Sequence, residues 1–103
     1  MSYMNKVEKI AMKLRDKLSE YNDFIGLYLY GSQISGKATE NSDIDIVGIF
    51  ENDKDLDSSI SMKILDLDLE FDVVVDFQRM TLSCLNKDPL YFNEVKKGIY
   101  YAR

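Results

Sequence analysis

A stretch beginning at Gly31 and ending at Asp45 constrains this chain most, because it joins a glycine-rich turn to a pair of carboxylates. An apolar run ends at Gly31, and Ser32 and a second glycine, Gly36, follow. Such a turn allows backbone N–H groups to approach a phosphate closely. Asp43 and Asp45 then begin a second apolar run. Because side chains two residues apart on a strand point to the same face, we expect these two carboxylates to lie side by side.

The chemistry of this stretch is that of phosphate and metal binding. Two adjacent carboxylates repel each other unless a cation lies between them or one of them stays protonated. A phosphate-binding turn beside a divalent-metal site is what phosphoryl or nucleotidyl transfer requires. Either half alone is common, but the six positions together would coincide by chance only about once in ten million starting points at average residue usage. The six positions are Gly31, Ser32, Gly36, Ser42, Asp43 and Asp45.

Composition restricts the possible functions further. The 103 residues are expected to form one domain, residues 1–103, with a modest core. The net charge of -5, from 18 acids and 13 bases, argues against an extensive nucleic-acid groove. It does not argue against a nucleotide whose phosphates are neutralised by metal ions. The chain has no histidine, which excludes histidine-based catalysis and most zinc sites.

The location of the protein is predicted from its apolar runs and its single cysteine. No apolar run is long enough to span a membrane, and the first residues lack the apolar core of a signal peptide. Cys84 is the only cysteine, so an intrachain disulfide is impossible, and we expect it to be a small buried apolar residue. These features predict a cytoplasmic protein with no membrane partner.

Apolar periodicity predicts alternating helices and strands. Residues 65–77 have the most regular pattern, because leucine, phenylalanine and valine alternate there with five acids, which predicts a long strand with one apolar and one acidic face. We therefore predict an α+β fold, a small mixed sheet with helices on one face and an open acidic face. The predicted elements are a helix over 3–21, a strand over 25–30, a short helix within 32–36, a strand over 43–50, the long strand over 65–77, a short helix or irregular segment over 79–86, a helix over 89–97 begun by Asp88 and Pro89, and a closing segment over 99–101.

The pattern Gly-Ser-x3-Gly-x5-Ser-Asp-x-Asp resembles the active-site signature of the DNA-polymerase-β-like nucleotidyltransferase superfamily. The short length and the terminal layout resemble its minimal members, the MNT proteins, which are often encoded with a HEPN-domain partner. The resemblance covers the whole chain, and its signature lies in residues 31–45. One departure is Ser35, where many minimal members carry arginine; Lys37 is near enough in sequence to compensate.

The resemblance implies an NTP substrate, ATP in the first instance, and two Mg²⁺ ions held by Asp43, Asp45 and a third carboxylate on a neighbouring strand. Two such ions also require oxygen ligands from more than one backbone segment. Asp72 is the first choice, because it begins the most apolar part of the predicted strand, as in the family pattern. Asp68 and Asp76 are the alternatives. The phosphate- and nucleotide-binding residues implied are Gly31, Ser32, Gly36 and Ser42, the last of which is also expected to cap the turn and orient Asp43.

The activity implied is transfer of an NMP, AMP from ATP, onto a hydroxyl of a partner protein, as in HEPN/MNT toxin–antitoxin systems. One alternative is a non-catalytic antitoxin that occludes a HEPN partner, although a purely binding protein gains nothing from adjacent like charges. A small-molecule nucleotidyltransferase of the antibiotic-modifying kind is another, and 103 residues leave little room for its substrate pocket. An inactive domain with the same fold is a third. The sequence leaves open the acceptor and the choice between a homodimer and a hetero-oligomer.

Overall fold

A computed structural model of the chain describes residues 3–36 and 42–103. None of the helices in these two ranges is long and apolar enough to cross a membrane. The elements in chain order are α1 (Tyr3–Leu18), β1 (Phe24–Tyr30), α2 (Ser32–Ser35), β2 (Ile44–Phe50), α3 (Ser58–Phe71), β3 (Val75–Met80), α4 (Leu82–Asn86), α5 (Pro89–Lys96) and β4 (Ile99–Ala102).

The strands form one mixed sheet in the order β3-β2-β1-β4. β1 pairs with β2 and with β4 in antiparallel fashion, whereas β2 and β3 are parallel. A parallel pair requires a crossover, and α3 provides it. The predicted α+β class and mixed sheet are therefore confirmed, and the closing segment predicted over 99–101 forms the edge strand β4.

One face of the sheet is covered by α1 and α3. The apolar side chains of α1 recur at a three-to-four-residue spacing, so they form one stripe that packs against the sheet. Leu27, Leu29 and Ile46 contribute from the sheet and are fully buried. This face holds the larger of two hydrophobic clusters. Its fully buried members from α1 are Val7, Ile10, Ala11, Leu14 and Leu18.

The opposite face is partly covered by α4 and α5. Val47 and Ile49 of β2 pack there with Leu85 of α4 and Val95 of α5. The prediction that helices lie on one face only is therefore wrong. Two short helices are sufficient to bury this second, smaller cluster. On the strands of this face, the acidic side chains of Asp45 and Asp76 lie near the start of β2 and β3.

The last helix, α5, begins as the sequence predicts. The Asp88 carboxylate accepts a hydrogen bond from the Tyr91 backbone N–H, and Pro89 occupies the first turn of α5. Thr81 caps α4 in the same way, because its hydroxyl accepts from the Cys84 N–H at 3.1 Å. Cys84 itself is only partly buried and its thiol is free, so the expectation of a fully buried cysteine is not met.

Residues 65–77 do not form the predicted long strand. The first half belongs to α3, which begins where the Asp57 carboxylate accepts from the Ile60 N–H at 2.9 Å. Ile60, Ile64 and Leu67 are buried at helical spacing, so burial on the sheet favours helix over the two-residue alternation. The helix ends at Asp72, and the strand β3 starts only at Val75.

Candidate active site

Three polar side chains form a row across the start of the sheet on the α4/α5 face. The strand register pairs Tyr30 with Asp45 and Asp45 with Asp76. Directly paired residues on neighbouring strands project to the same face. The sheet therefore places the carboxylates of Asp45 and Asp76 side by side, with the Tyr30 ring on the other side of Asp45.

The carboxylates of this row lie close enough to influence one another. Burial raises the pKa of Asp45, and the charges of Asp76 and then of Asp43 raise it further. Asp43 precedes β2 and is exposed, as is Asp76. Asp45 is thus a partly buried carboxylate between two exposed ones. We name Asp43, Asp45 and Asp76 the carboxylate row.

The glycine turn lies directly against this row. Gly31 has φ 81° and ψ -148°, a backbone conformation that side chains resist. A Cβ atom at Gly31 would collide with the Asp45 carboxylate. Gly36 ends α2 with φ 79°, and no atom of residues 3–36 or 42–103 lies within 4 Å of the position that its Cβ would take. Gly31 is therefore required twice, for its backbone and for its contact with Asp45, whereas Gly36 is required for its backbone alone.

Gln33 links the turn to the carboxylates and was not singled out by the sequence. It lies on α2 and is 6% exposed. Its Nε2 donates to the backbone carbonyl of Asp43 at 3.1 Å and lies 3.5 Å from the carbonyl of Ser42. This side chain fixes the backbone that carries the first carboxylate. A buried amide on a four-residue helix has no distinguishing sequence pattern.

Two tyrosine hydroxyls meet beside the carboxylate row. The hydroxyls of Tyr30 and Tyr91 are 2.6 Å apart, and the rings cross edge to face with centroids 5.7 Å apart. Burial raises the pKa of both tyrosines. Their mutual hydrogen bond raises the pKa of Tyr30 further and lowers that of Tyr91, and the charges of Asp45 and Asp76 raise both. Both hydroxyls are therefore protonated at neutral pH. Tyr91 comes from α5, which sequence spacing could not connect to the site.

The structure does not place Asp72 on the strand that was expected to carry it. Asp72 is the exposed residue that ends α3, with φ 53°, and its N–H donates to the carbonyl of Asp68. The expectation that Asp72 lies on a strand is therefore wrong, because Asp72 ends the helix α3 and β3 begins only at Val75. Asp76, one of the two alternatives, is the acid that β3 brings beside Asp45.

Asp68, the other alternative, supports the connection between α3 and β3. Its Oδ1 accepts from the Val75 N–H at 3.0 Å. Burial raises its pKa, the Val75 hydrogen bond opposes this, and the charge of Asp43 raises it. Asp68 therefore lies near the carboxylate row while its hydrogen bond holds the start of β3.

The remaining predicted residues lie around the turn. Ser32 opens α2 and Ser42 directly precedes Asp43; both are partly exposed. Their phosphate contacts remain predictions, as does the role of Gly36. Lys37, which was expected to compensate for Ser35, lies outside the described residues.

The carboxylate row has the donor chemistry of a Mg²⁺ site. Within residues 3–36 and 42–103, no three His, Cys, Asp or Glu side chains are gathered tightly enough to enclose an ion as they stand. Carboxylate oxygens are nevertheless the ligands that Mg²⁺ prefers, and it commonly takes only one or two of them together with phosphate oxygens and water. The mutual repulsion that raises the pKa of Asp45 is the repulsion that a cation would relieve.

Comparison with known proteins decides the family. Residues 12–100 match the family described as Polymerase beta, Nucleotidyltransferase. The chain belongs to this nucleotidyltransferase family. The resemblance drawn from the Gly31–Asp45 stretch is thereby confirmed, and so is the assignment of the chain as a nucleotidyltransferase. No curated protein matches this nucleotidyltransferase.

Solved structures share its fold. A toxin-antitoxin structure with AMP-PNP is 24% identical, with a TM-score of 0.58, over 96% of this chain and 72% of that one. A mutant of the toxin-antitoxin MntA-HpeT is also 24% identical, with a TM-score of 0.56, over 98% and 72% of the two chains. A putative nucleotidyltransferase from Sulfolobus solfataricus is 19% identical, with a TM-score of 0.52, over 95% and 81%.

Proposed function

We propose that this nucleotidyltransferase moves an NMP, AMP from ATP, onto a hydroxyl of a partner protein. The observation that supports the proposal most is the alignment of Asp45 with Asp76 on adjacent strands, with Gly31 packed against the Asp45 carboxylate. This arrangement puts acidic metal ligands and a phosphate-binding turn within the same short stretch of surface.

Each residue has a role in this proposal. Asp43, Asp45 and Asp76 would hold two Mg²⁺ ions, with Asp76 in the role that was expected of Asp72 from the sequence. When bound there, Mg²⁺ supplies positive charge to the phosphates and to the attacking oxygen. The proposed phosphate contacts come from the turn, namely the Gly31 and Ser32 backbone, the Ser32 hydroxyl and Gly36. Ser42 is proposed to cap the turn and orient Asp43. The Gln33 side chain holds the backbone of Asp43 through its hydrogen bond to the Asp43 carbonyl.

The proposed reaction is a displacement at the α-phosphorus. The acceptor hydroxyl oxygen forms a bond to the α-phosphorus, and the bond from that phosphorus to the β-bridging oxygen breaks. Pyrophosphate leaves, and the hydroxyl proton passes to Asp76, which is exposed and therefore accessible to an acceptor. The protein contributes mainly by orientation, because the row and the turn fix where the two reacting groups meet.

The fold neighbours favour ATP and a protein partner. Two of them are described as toxin-antitoxin structures, and one of these contains AMP-PNP, an analogue of ATP. We therefore propose a HEPN-domain protein as the acceptor, with which this chain would form a hetero-oligomer. A non-catalytic antitoxin that occludes such a partner is the rival function, and the experiment below separates the two.

The test is incubation with ATP labelled at the α-phosphate and Mg²⁺, with and without the protein encoded next to this one. Label on that protein supports the proposal and identifies the acceptor. ATP binding without transfer would favour the occluding module, and an absence of both would contradict the proposal.

Two matched variants locate the third carboxylate. Asp76→Asn should lower transfer on the order of a thousandfold, since a metal ligand contributes several kcal/mol to transition-state stabilisation. Asp72→Asn should leave kcat at saturating acceptor protein within about twofold, because Asp72 is exposed at the end of α3 and asparagine tolerates its positive φ. The reverse pattern would restore Asp72 as the third ligand.

A further inference from the structure

The helix α3 has a second apolar stripe on the side opposite to its buried one. Met62, Leu65 and Leu69 are 57%, 45% and 75% exposed. Their spacing places them on one side of the helix, within about a sixth of a turn of one another. A surface helix of a monomer normally has one apolar stripe and a polar face opposite. The buried stripe of α3 consists of Ile60, Ile64 and Leu67.

The charges beside this stripe are placed unfavourably for the isolated chain. Four acids lie in the last two turns of α3 and at its end, and its last turn has no base. The C-terminal end of a helix carries partial negative charge, so acids there cost stability. A sequence that departs from a local rule often does so at a functional surface. The four acids are Asp66, Asp68, Glu70 and Asp72.

The cations near α3 gather around Glu70, whose pKa is lowered by its hydrogen bond to Lys13 and further by the charges of Lys17 and Lys9. Lys13 pairs with Glu70 at 2.6 Å, and Lys63 pairs with Glu20 at 2.7 Å. Neither Asp66 nor Asp72 forms an ion pair within residues 3–36 and 42–103, and both are exposed. The stripe therefore has acidic edges at its C-terminal half, which a basic partner would complement.

The acidic end of the stripe also lies next to the carboxylate row. Asp68, one residue before Leu69, is near enough to Asp43 to feel its charge. Its hydrogen bond to Val75 joins α3 to β3, the strand of Asp76. The C-terminal end of α3 therefore lies at the same end of the strands as the carboxylate row, although the helix covers the other face of the sheet.

We propose that the exposed face of α3, formed by Met62, Leu65 and Leu69 with Asp66 and Asp72, docks the acceptor protein. That the docked protein is the acceptor rests on the proposed function; that a basic helix binds α3 does not. The fitting segment is an amphipathic helix whose apolar stripe is flanked by lysine or arginine. A second copy of this chain fits poorly, because its α3 would bring acids against acids.

The first test measures binding without nucleotide, so it does not depend on catalysis. Two synthetic helical peptides carry leucine at the first, fourth and eighth positions, flanked by lysine in one and by glutamate in the other. Each is titrated into isotope-labelled protein and followed by NMR. The lysine peptide should shift the resonances of α3, and its affinity should fall as the salt concentration rises. The glutamate peptide should not bind.

Matched double variants assign the surface. Leu65→Ser with Leu69→Ser should weaken the lysine peptide at least about tenfold, since two exposed leucines are lost from an apolar contact. Leu82→Ser with Leu90→Ser removes two leucines that are 49% and 82% exposed on α4 and α5, and should leave its affinity unchanged. Equal loss in both double variants, no binding of the lysine peptide, or equal binding of the glutamate peptide would overturn the proposal.

The second test uses transfer itself. With the neighbouring-gene protein as acceptor, Leu65→Ser with Leu69→Ser should raise the KM for that protein about tenfold and leave kcat and the Kd for Mg-ATP unchanged. If the KM of this double variant for that protein equals the wild-type value, docking on α3 is wrong, while the proposed transfer activity is unaffected. Self-association of the wild type that this variant abolishes would assign α3 to a second copy instead.

Discussion

The two faces of the sheet are built from the same strands but have different roles. The α1/α3 face is closed by long helices and contains the larger cluster of buried apolar residues. The α4/α5 face has a smaller cluster around Val47 and Ile49, and the carboxylate row lies at its margin. On β2 alone, Ile46 faces one side and Asp45 the other. Consecutive residues thus serve stability and chemistry separately, and the two can be altered independently.

The largest expected difference is in the free energy of unfolding, when an isoleucine is truncated to alanine on each face of the sheet. Ile46 and Ile49 lie on β2, are 0% and 2% exposed, and face opposite sides. Ile46→Ala should lower the free energy of unfolding by about 4 kcal/mol, and Ile49→Ala by about 2 kcal/mol, because the smaller cluster can collapse around the lost atoms. Chemical denaturation measures both. Equal losses would show that the two faces are equally rigid.

The glycine turn provides the second comparison, between a residue in contact with the row and one remote from it. Gly31→Ala should reduce transfer about a hundredfold, because the new methyl group would displace the Asp45 carboxylate. Gly36→Ala has a similar positive φ, free space among the described residues, and the same backbone N–H for a phosphate, so it should cost only about 1 kcal/mol of stability and change transfer far less than Gly31→Ala. Kinetics and thermal melts of the two variants separate the effects. Similar transfer rates would mean that the contact between Gly31 and Asp45 is unimportant.

A smaller effect is expected from the tyrosine pair. Tyr91→Phe removes the hydroxyl partner of Tyr30 and should lower stability by about 1 kcal/mol, since one partly buried hydrogen bond is lost. Tyr100→Phe is the control, because the Tyr28–Tyr100 contact is between rings with centroids 4.7 Å apart. Denaturation midpoints give both values. A larger loss for Tyr100→Phe would contradict the assignment of the hydroxyl pair.

The smallest effect concerns the charge of Asp45 and has a defined dependence on pH. The folded protein raises the pKa of Asp45 above its ordinary value of 3.8, so ionisation weakens the fold as pH rises through the raised value. Asp45→Asn should therefore melt slightly higher than the wild type at pH 7. The gain should vanish below pH 3.8, where the carboxyl is protonated in both folded and unfolded chains.

An aspartate in the exposed loop before α3 provides the control for this charge effect. Asp53→Asn should melt like the wild type at both pH values, because Asp53 is exposed. A wild-type melting temperature for Asp45→Asn at neutral pH would contradict the raised pKa of Asp45, and with it the combined effect of burial and of the charges of Asp76 and Asp43.

The sequence predicted the first half of the chain well, because its signals there are local. The helix over 3–21 is present and ends at Leu18, and the strands over 25–30 and 43–50 are found within one residue. Gly31, Asp43 and Asp45 come from one continuous stretch, so their proximity needed no knowledge of the sheet. Their phosphate and metal contacts remain predictions.

The error over residues 65–77 arose because two periodicities overlap there. Ile60, Ile64, Leu67 and Phe71 follow a helical spacing, whereas Leu65, Leu67 and Leu69 alternate with acids. Of the alternating leucines, Leu65 and Leu69 are exposed in the structure and only Leu67 is buried. Asp57 before Ser58 is the helix start signal that favours the helix.

The residues that no local pattern reveals come from distant segments. Tyr91 reaches Tyr30 only because α5 crosses the sheet, and Asp76 reaches Asp45 only through the register of two parallel strands. Sequence alone could name Asp76 as one of several acids but could not place it.

The parallel pairing of β2 with β3 also determines when the site comes into existence during synthesis. Asp45 and Asp76 are separated along the chain by the whole of α3, so they remain apart until the crossover closes, and such long-range pairings form slowly. A ribosome-bound chain that has emerged only as far as α3 would have the glycine turn and the first carboxylates but no partner for Asp45. Under the proposed function, the acceptor protein is exposed, for the interval before β3 docks, to a chain that still lacks the proposed third metal ligand.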